Sequence, residues 1–235
     1  VSAIGCVLNL EAWVGETLLS LRRQTFKEFE AIYVDDGSTD TTKRILMHYA
    51  QLDPRFKYAW VKHGGCAKAL NLATKIAVGE ILVVCSGDDI YAEDRLKRTV
   101  EFFDAHPEID VFYENFMVCD DQLSQGSPHE VGPMILEDYL TILPNGRANQ
   151  TIPHGFSAYR RKVADAVPYD ESREVGIDYP FFAEVAKQGF RFGFINDPGT
   201  KEKPKMGGGL CRVRPNSVTA QRQEEVRRGD AAVIA

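Results

Sequence analysis

An α/β fold with a mainly parallel central sheet flanked by helices is what this sequence predicts, on three observations. Short apolar runs alternate with stretches of helical periodicity from residue 1 to residue 118, the pattern of βαβ units. The helical stretches are long enough to serve as crossovers between parallel strands. Two of the apolar runs stop at paired aspartates, Asp35-Asp36 and Asp88-Asp89, and ligands of open α/β sheets sit beyond the carboxyl ends of the strands.

Val1 to Leu8 is the first apolar run, and Glu11 to Arg23 carries helical spacing through Trp13, Leu18, Leu19 and Leu21. Phe29 to Val34 reads as the second strand, after which Thr39 or Asp40 caps a helix through Ile45, Leu46 and Tyr49. Phe56 to Val61 is a short strand, Gly64-Gly65 a turn and Ala67 to Ala77 a helix. Glu80 to Cys85 is the fourth strand, Glu93 to Ala105 is helical, and Pro107 leads into a strand over Val111 to Val118.

The later half is less regular. Asp120 to Pro133 is polar with Gly and Pro, so a loop or hairpin is expected; a short helix follows over Ile135 to Leu143 and a turn over Asn145 to Gln150. Ile152 to Tyr159 reads as a strand and Asp178 to Gln188 as a helix, with Pro180 tolerated in its first turn. Phe190 to Ile195 is an aromatic-rich strand, Lys201 to Gly209 a mobile loop, and Ser217 caps a last polar helix through Arg228.

Length and composition bound the possibilities. The 235 residues fit one large domain or two fused halves, and 44% apolar with 26% charged residues is ordinary globular usage. A net charge of −6 lacks the basic footprint of a nucleic-acid binder. An acidic protein that binds an anionic ligand needs a local positive charge, from a divalent cation or from a few placed Lys and Arg. The five cysteines form no CxxC pair, and all five are expected to be reduced and structural, as in a reducing compartment. No apolar run approaches the roughly 20 residues of a membrane span, and no signal peptide is visible. A cytoplasmic location is expected, with the inner face of a membrane as the alternative and any membrane association through parts absent from this chain.

The two acidic turns carry the candidate chemistry. A carboxylate accepts hydrogen bonds only, which suits the imide N–H of uracil or thymine, or a ribose hydroxyl; an Asx-turn with a helix cap explains Asp35-Asp36-Gly37-Ser38 equally well. At Asp88-Asp89, hard divalent cations offer a second reading, since Mg²⁺ takes one or two carboxylates plus substrate phosphates.

Read together, Val1-Ser2-Ala3-Ile4 with Asn9 and Glu11, Ser20-Leu21 with Gln24-Thr25-Phe26, Phe29-Glu30 and Val34 to Asp40 form an ordered phrase. Ala69-Leu70-Asn71, Gly79-Glu80, Ser86 to Asp89 and Asp94-Arg95-Leu96 continue it. In order and spacing, over roughly Val1 to Phe103, this is similar to family 2 of the glycosyltransferases. Gly155 to Arg161, Ile177 to Phe182, and Arg212 with Pro215 to Ser217 resemble that family's later half more loosely.

The resemblance implies a GT-A fold, the Rossmann-like fold of nucleotide-diphospho-sugar transferases. It implies one domain over 1–235, with a nucleotide-sugar-binding half at 1–118 and an acceptor-binding half at 119–235. The implied activity is inverting transfer from a UDP- or dTDP-sugar to an acceptor hydroxyl, as in bacterial polysaccharide or glycoconjugate synthesis. Asp36, with Asp35, would meet the base; Asn9, Glu11, Lys68 and Asn71 would lie at the nucleotide; Asp88 would face ribose or metal. Asp89 would coordinate Mn²⁺ or Mg²⁺. Asp178 stands where the family places its catalytic base, with Glu174 or Asp170 as substitutes should Asp178 only cap a helix. Lys68, Arg212 or Lys205 could add positive charge at the diphosphate.

Three departures bear on this. The family usually has an acid where Ser86 stands, and Cys6 replaces its common Pro. No histidine follows His154, so a C-terminal histidine ligand is lacking. Among the aromatic residues, Trp13, Trp60, Tyr159, Tyr179, Phe181 and Phe182 could stack a sugar or base or belong to the core, and His154 could be structural or face the acceptor. Ser86 favours the main rival, an idle nucleotide-sugar-binding or regulatory domain. A sugar nucleotidyltransferase would need a Gly-rich phosphate loop where Cys6 to Glu11 stand.

Overall fold

The structure is a computed structural model that describes residues 1–123, 126–140, 150, 152–173, 175–195 and 207–214. Glu174, Lys205, most of the 201–209 loop, the turn at 145–149 and the helix expected from Ser217 lie outside the described residues.

The described elements run β1 (Ser2–Val7), α1 (Val14–Arg22), β2 (Glu30–Asp35), α2 (Thr42–Leu52), β3 (Phe56–Trp60), α3 (Cys66–Ile76), β4 (Ile81–Val84) and β5 (Ile90–Tyr91). They continue with α4 (Arg95–Ala105), β6 (Val111–Glu114), β7 (Phe116–Cys119), β8 (Gly126–His129) and α5 (Leu136–Tyr139). A 3-10 turn (His154–Phe156) precedes β9 (Ser157–Arg160), α6 (Arg161–Ala166), α7 (Asp178–Lys187), β10 (Phe192–Ile195) and β11 (Gly209–Arg212).

Seven strands form the central sheet in the order β10-β6-β9-β4-β1-β2-β3. β1 is parallel to β2 and β4, and β2 to β3. β9 runs antiparallel between β4 and β6, which makes the sheet mixed. Side chains alternate across a strand, and here the alternation divides the core in two. Ile4, Ile32, Val34, Leu82 and Val84 meet α3 and α7 through Leu70, Ala73, Phe181 and Phe182. Ala3, Ala31, Tyr33 and Val83 meet α1 and α4 through Leu18, Leu21, Leu96 and Phe103. Burial on both faces explains why these strands read as continuous apolar runs.

Three local expectations change. The strand expected over Val111 to Val118 breaks at Asn115, because β6 belongs to the central sheet and β7 to a second sheet of order β5-β11-β7-β8. The Asp120 to Pro133 stretch is a hairpin arm, β8 pairing antiparallel with β7. The first part of the strand expected from Ile152 is the 3-10 turn, so pairing begins only at Ser157.

The cysteine expectation is corrected too. Cys6, in β1, and Cys66, the first residue of α3, form a disulfide across Cα atoms 6.0 Å apart, while Cys85, Cys119 and Cys211 are free. Burial alone does not decide a cysteine's state once the fold sets two of them at bonding range. The cysteine content therefore no longer supports a reducing compartment. Among the described residues no helix is long and apolar enough to cross a membrane.

Candidate active site

A cleft of about 500 Å³ opens beyond the carboxyl ends of β1 and β4. β1 and β4 are neighbours from which the chain continues in opposite directions, to β2 on one side and to the strands beyond β4 on the other, the switch point at which α/β sheets bind ligands. Asp36, His63, Asp88, His154, Asp178 and Arg214 are the acidic, basic and imidazole side chains that line it among the described residues.

Asp36 follows β2 and is almost fully buried. Its Oδ1 accepts the Gly64 N–H at 2.8 Å; its Oδ2 accepts the Gly65 N–H at 3.0 Å and meets His63 Nδ1 at 2.8 Å. This loop depends on glycine. Gly65 has φ +95° and Gly37, against the His63 backbone, has φ +87°, values that favour a residue without Cβ. A Cβ at Gly37 would also stand 2.8 Å from the His63 nitrogen. Asp35 is fully buried; its Oδ1 accepts the Ser38 N–H at 2.8 Å, the expected Asx-turn, and its Oδ2 has no hydrogen-bond partner among the described residues.

The second acidic turn is arranged differently. Asp88 lines the cleft, and its Oδ2 receives Nε and Nη2 of Arg214, both at 2.7 Å. Asp89 points away into the protein, 5% exposed. Its Oδ1 accepts the Arg212 N–H at 3.0 Å, and the Ser86 hydroxyl and Cys211 thiol bond the same carboxyl group. Burial pushes the Asp89 carboxyl up to about 7, with the charge of Asp88 adding to the rise. Gly155 packs directly over this group, where a Cβ would stand 2.7 Å from Ser86 Oγ and 3.0 Å from Asp89 Oδ2. Behind the turn, the Arg95 guanidinium is buried against Glu114, with Nε at 3.3 Å, and donates to the Val84 carbonyl at 3.1 Å.

On the far side, Asp178 is the first residue of α7, with Ile177 at the cap position. It therefore lies one residue inside the helix and lines the cleft. His154 stands beside it, its Nε2 at 2.8 Å from the Tyr169 hydroxyl. Burial lowers the pKa of this imidazole while the Asp178 charge works the other way, which keeps His154 neutral at pH 7.

Five expected nucleotide contacts are placed elsewhere, the first being Asp35, whose burial and Asx-turn keep it out of the cleft. Asn9 is exposed, and its Oδ1 accepts the Thr39 N–H at 2.9 Å, bridging two loops. Glu11 accepts the Thr41 N–H at 2.9 Å and its hydroxyl at 2.7 Å, so it caps α2 from outside, and these bonds hold its pKa below the ordinary value. Asn71 is turned into the core, where it donates to the Tyr169 carbonyl and accepts the Tyr169 N–H, both at 2.9 Å. Lys68 is exposed on the first turn of α3, lying over Gly64. Asp170, the described substitute base, bonds Ser172 and Arg173 in an exposed turn. Tyr159, Tyr179, Phe181 and Phe182 are core residues. Arg212, offered as a free charge at the diphosphate, is instead committed to Glu16 and to the Asp88 and Asp121 carbonyls.

Mn²⁺ and Mg²⁺ sites are built from carboxylate and other oxygens. Asp88 is already paired with a guanidinium, Asp89 is committed to three donors inside the protein, and Ser86 is not an acid. Among the described residues no group of three or more His, Cys, Asp or Glu could hold a metal ion. The described residues do not fit a divalent cation. The residue that sequence reading missed is Arg214. Its only signal was the Arg-x-Arg spacing, which sets Arg212 and Arg214 on the same side of an extended segment.

A mixed, mainly parallel sheet flanked by helices, with acidic strand ends around a switch-point cleft, defines a GT-A domain. The chain belongs to glycosyl transferase family 2, whose profile matches residues 2–167. An uncharacterized glycosyltransferase of Nostoc sp. is 27% identical over 169 residues, 71% of this chain and 52% of that protein. TarS of Staphylococcus aureus, a poly(ribitol-phosphate) beta-N-acetylglucosaminyltransferase, is 36% identical over 108 residues, 45% of this chain and 19% of TarS. The crystal structure of S. aureus TarS 1–349 in complex with UDP superposes with a TM-score of 0.69 at 25% identity, covering 99% of this chain and 64% of that one. A mannosyltransferase of Pyrobaculum calidifontis, in complex with GDP-Man and Mn²⁺, shares the fold at a TM-score of 0.62 and 20% identity, over 97% of this chain and 60% of that one. The chain thus spans about half the length of the Nostoc relative.

Proposed function

We propose that this chain moves a sugar from a UDP-linked donor to an acceptor hydroxyl with inversion at the anomeric carbon. The observation that carries the reading is one cleft lined by Asp36 and Asp88 from the earlier half and by Asp178 from the later half. The family assignment supports transfer, and the UDP bound by TarS supports a uracil nucleotide over a thymine one. TarS and the minor teichoic acid biosynthesis protein GgaB of Bacillus subtilis support a polymer or glycoconjugate acceptor.

In this reading the base lies at the Asp36 end of the cleft, where the 63–65 loop holds the carboxylate. The diphosphate lies toward Asp88 and Arg214, and the acceptor enters beside Asp178. Asp178 takes the proton of the attacking hydroxyl as its oxygen closes on the anomeric carbon, opposite the departing diphosphate. Neutral His154 borders Asp178 without neutralising it. Mn²⁺ or Mg²⁺, expected from the family resemblance, has no part in these steps, because the donor set does not fit it.

Thermal unfolding against a panel of nucleotides tests the reading. UDP at 100 times its Kd adds about 2.7 kcal/mol of apparent stability, and slow release of free sugar from a UDP-sugar separates a transferase from an idle binding domain. No stabilisation by any uracil nucleotide would end the proposal.

A further inference from the structure

Resting on that donor reading, we infer that Arg214, rather than a divalent cation, supplies the positive charge against the donor's diphosphate. β11 pairs antiparallel with β5 and parallel with β7, which carries Arg212 and Arg214 beneath the Asp88-Asp89 turn. The two arginines then divide. Arg212 is 8% exposed and clamps the turn, donating Nε to the Asp88 carbonyl at 3.0 Å and Nη1 to the Asp121 carbonyl at 2.7 Å, with Nη2 on Glu16. Arg214 faces the cleft instead.

Its guanidinium lies over the Trp13 ring, 4.7 Å from the centroid, and two of its N–H groups go to one oxygen of Asp88. A guanidinium has five donors in a rigid fork, so this placement leaves it able to receive a phosphate while Asp88 and Trp13 hold its plane. Arg binds phosphate bidentately and is weakly hydrated, which suits a partly enclosed site. Side-chain exposures of 16% for Arg214 and 17% for Asp88 show that water is largely excluded from the pair. Asp88 thereby becomes a positioning residue: it aims the cation and does not ligate a metal.

Calorimetry with UDP and uridine, in EDTA and in Mn²⁺, tests this on the chain as it stands. UDP affinity in EDTA is expected within about threefold of that in Mn²⁺, and Arg214→Gln is expected to weaken UDP about 10- to 100-fold. Uridine, which has no phosphate, should bind Arg214→Gln as it binds the wild type, and this doubles as the folding control. Asp88→Asn should weaken UDP by the same factor with and without Mn²⁺, because it loosens Arg214 in both. UDP binding that vanishes in EDTA and is untouched by Arg214→Gln would overturn the inference and leave the donor reading standing. Failure of UDP and uridine to bind under any condition would overturn the donor reading, and this inference with it.

Discussion

The turns after β2 and β4 each carry two adjacent aspartates, and each sends one into the protein and one into the cleft. After β2 the first aspartate is buried and the second faces the cleft; after β4 the order is reversed. Their partners differ more than their positions. Asp36 is held by backbone N–H groups and an imidazole from residues 27 to 29 positions away. Asp88 and Asp89 are held by arginine residues 123 to 126 positions away. The first turn is thus a hydrogen-bonding site built from nearby backbone, suited to an uncharged ring with directional donors. The second is a charge site built by long-range packing, suited to an anion. The same residue pair acquires its chemistry from what the fold sets against it.

The largest effect expected from breaking this arrangement concerns the third acid of the cleft. Asp178→Asn should lower kcat about 10²- to 10⁴-fold while leaving the melting temperature nearly unchanged, since Ile177 rather than Asp178 holds the cap position of α7. Stopped assays of product formation and a melting curve on one variant measure both. A loss of stability with normal turnover would return Asp178 to a structural role.

Next in size is the disulfide that pins α3 to β1. With 60 residues between its ends, chain-entropy reasoning gives about 4 kcal/mol for its removal. Urea unfolding of Cys66→Ala, or of wild type with reductant, should show a loss of that order. An unchanged midpoint would mean that the bond does not constrain the unfolded chain.

Asp36→Ala should cost about 2 kcal/mol, because it strands the buried Gly65 N–H along with its neighbour. Asp88→Ala should cost less, since its partner Arg214 retains some contact with water. Equal losses, read from urea midpoints, would erase the contrast between a backbone-built and a charge-built turn.

The last prediction is a slope with pH. Asp89 is pushed up to about 7 from an ordinary 3.8. Between those values the folded state holds a proton that the unfolded chain has released, so unfolding free energy falls as pH rises through this window and levels off above about 7. Asp89→Asn should flatten that slope. A variant that keeps the wild-type slope would assign it to another group.

The strand–helix alternation was legible because periods of 2 and 3.6 write burial directly into local sequence, and the divided core of Ile4 against Ala3 follows from the same rule. Asp88 and Asp178 were legible as cleft candidates from strand-end and helix-start positions. Asn9, Glu11 and Asn71 were misplaced because an amide or carboxylate beside a loop serves a cap as readily as a ligand. Asn71 shows this most plainly: its partners lie on Tyr169 and Glu171, 98 and 100 residues away.

What the sequence by itself determined is therefore the strand–helix alternation from β1 to α4, its order, the family and the acids that follow the strands, all features carried by short spacing. Tertiary structure alone decided that Asp89 turns inward, that Arg214 meets Asp88 from 126 residues away, and that Cys6 bonds Cys66 across a separation of 60. The physical reason is range. Backbone sterics and burial periodicity act over a few residues and leave a readable pattern, whereas charge pairing and covalent bonding depend on distance in space, which exists only once β11 has docked and α3 has packed on β1.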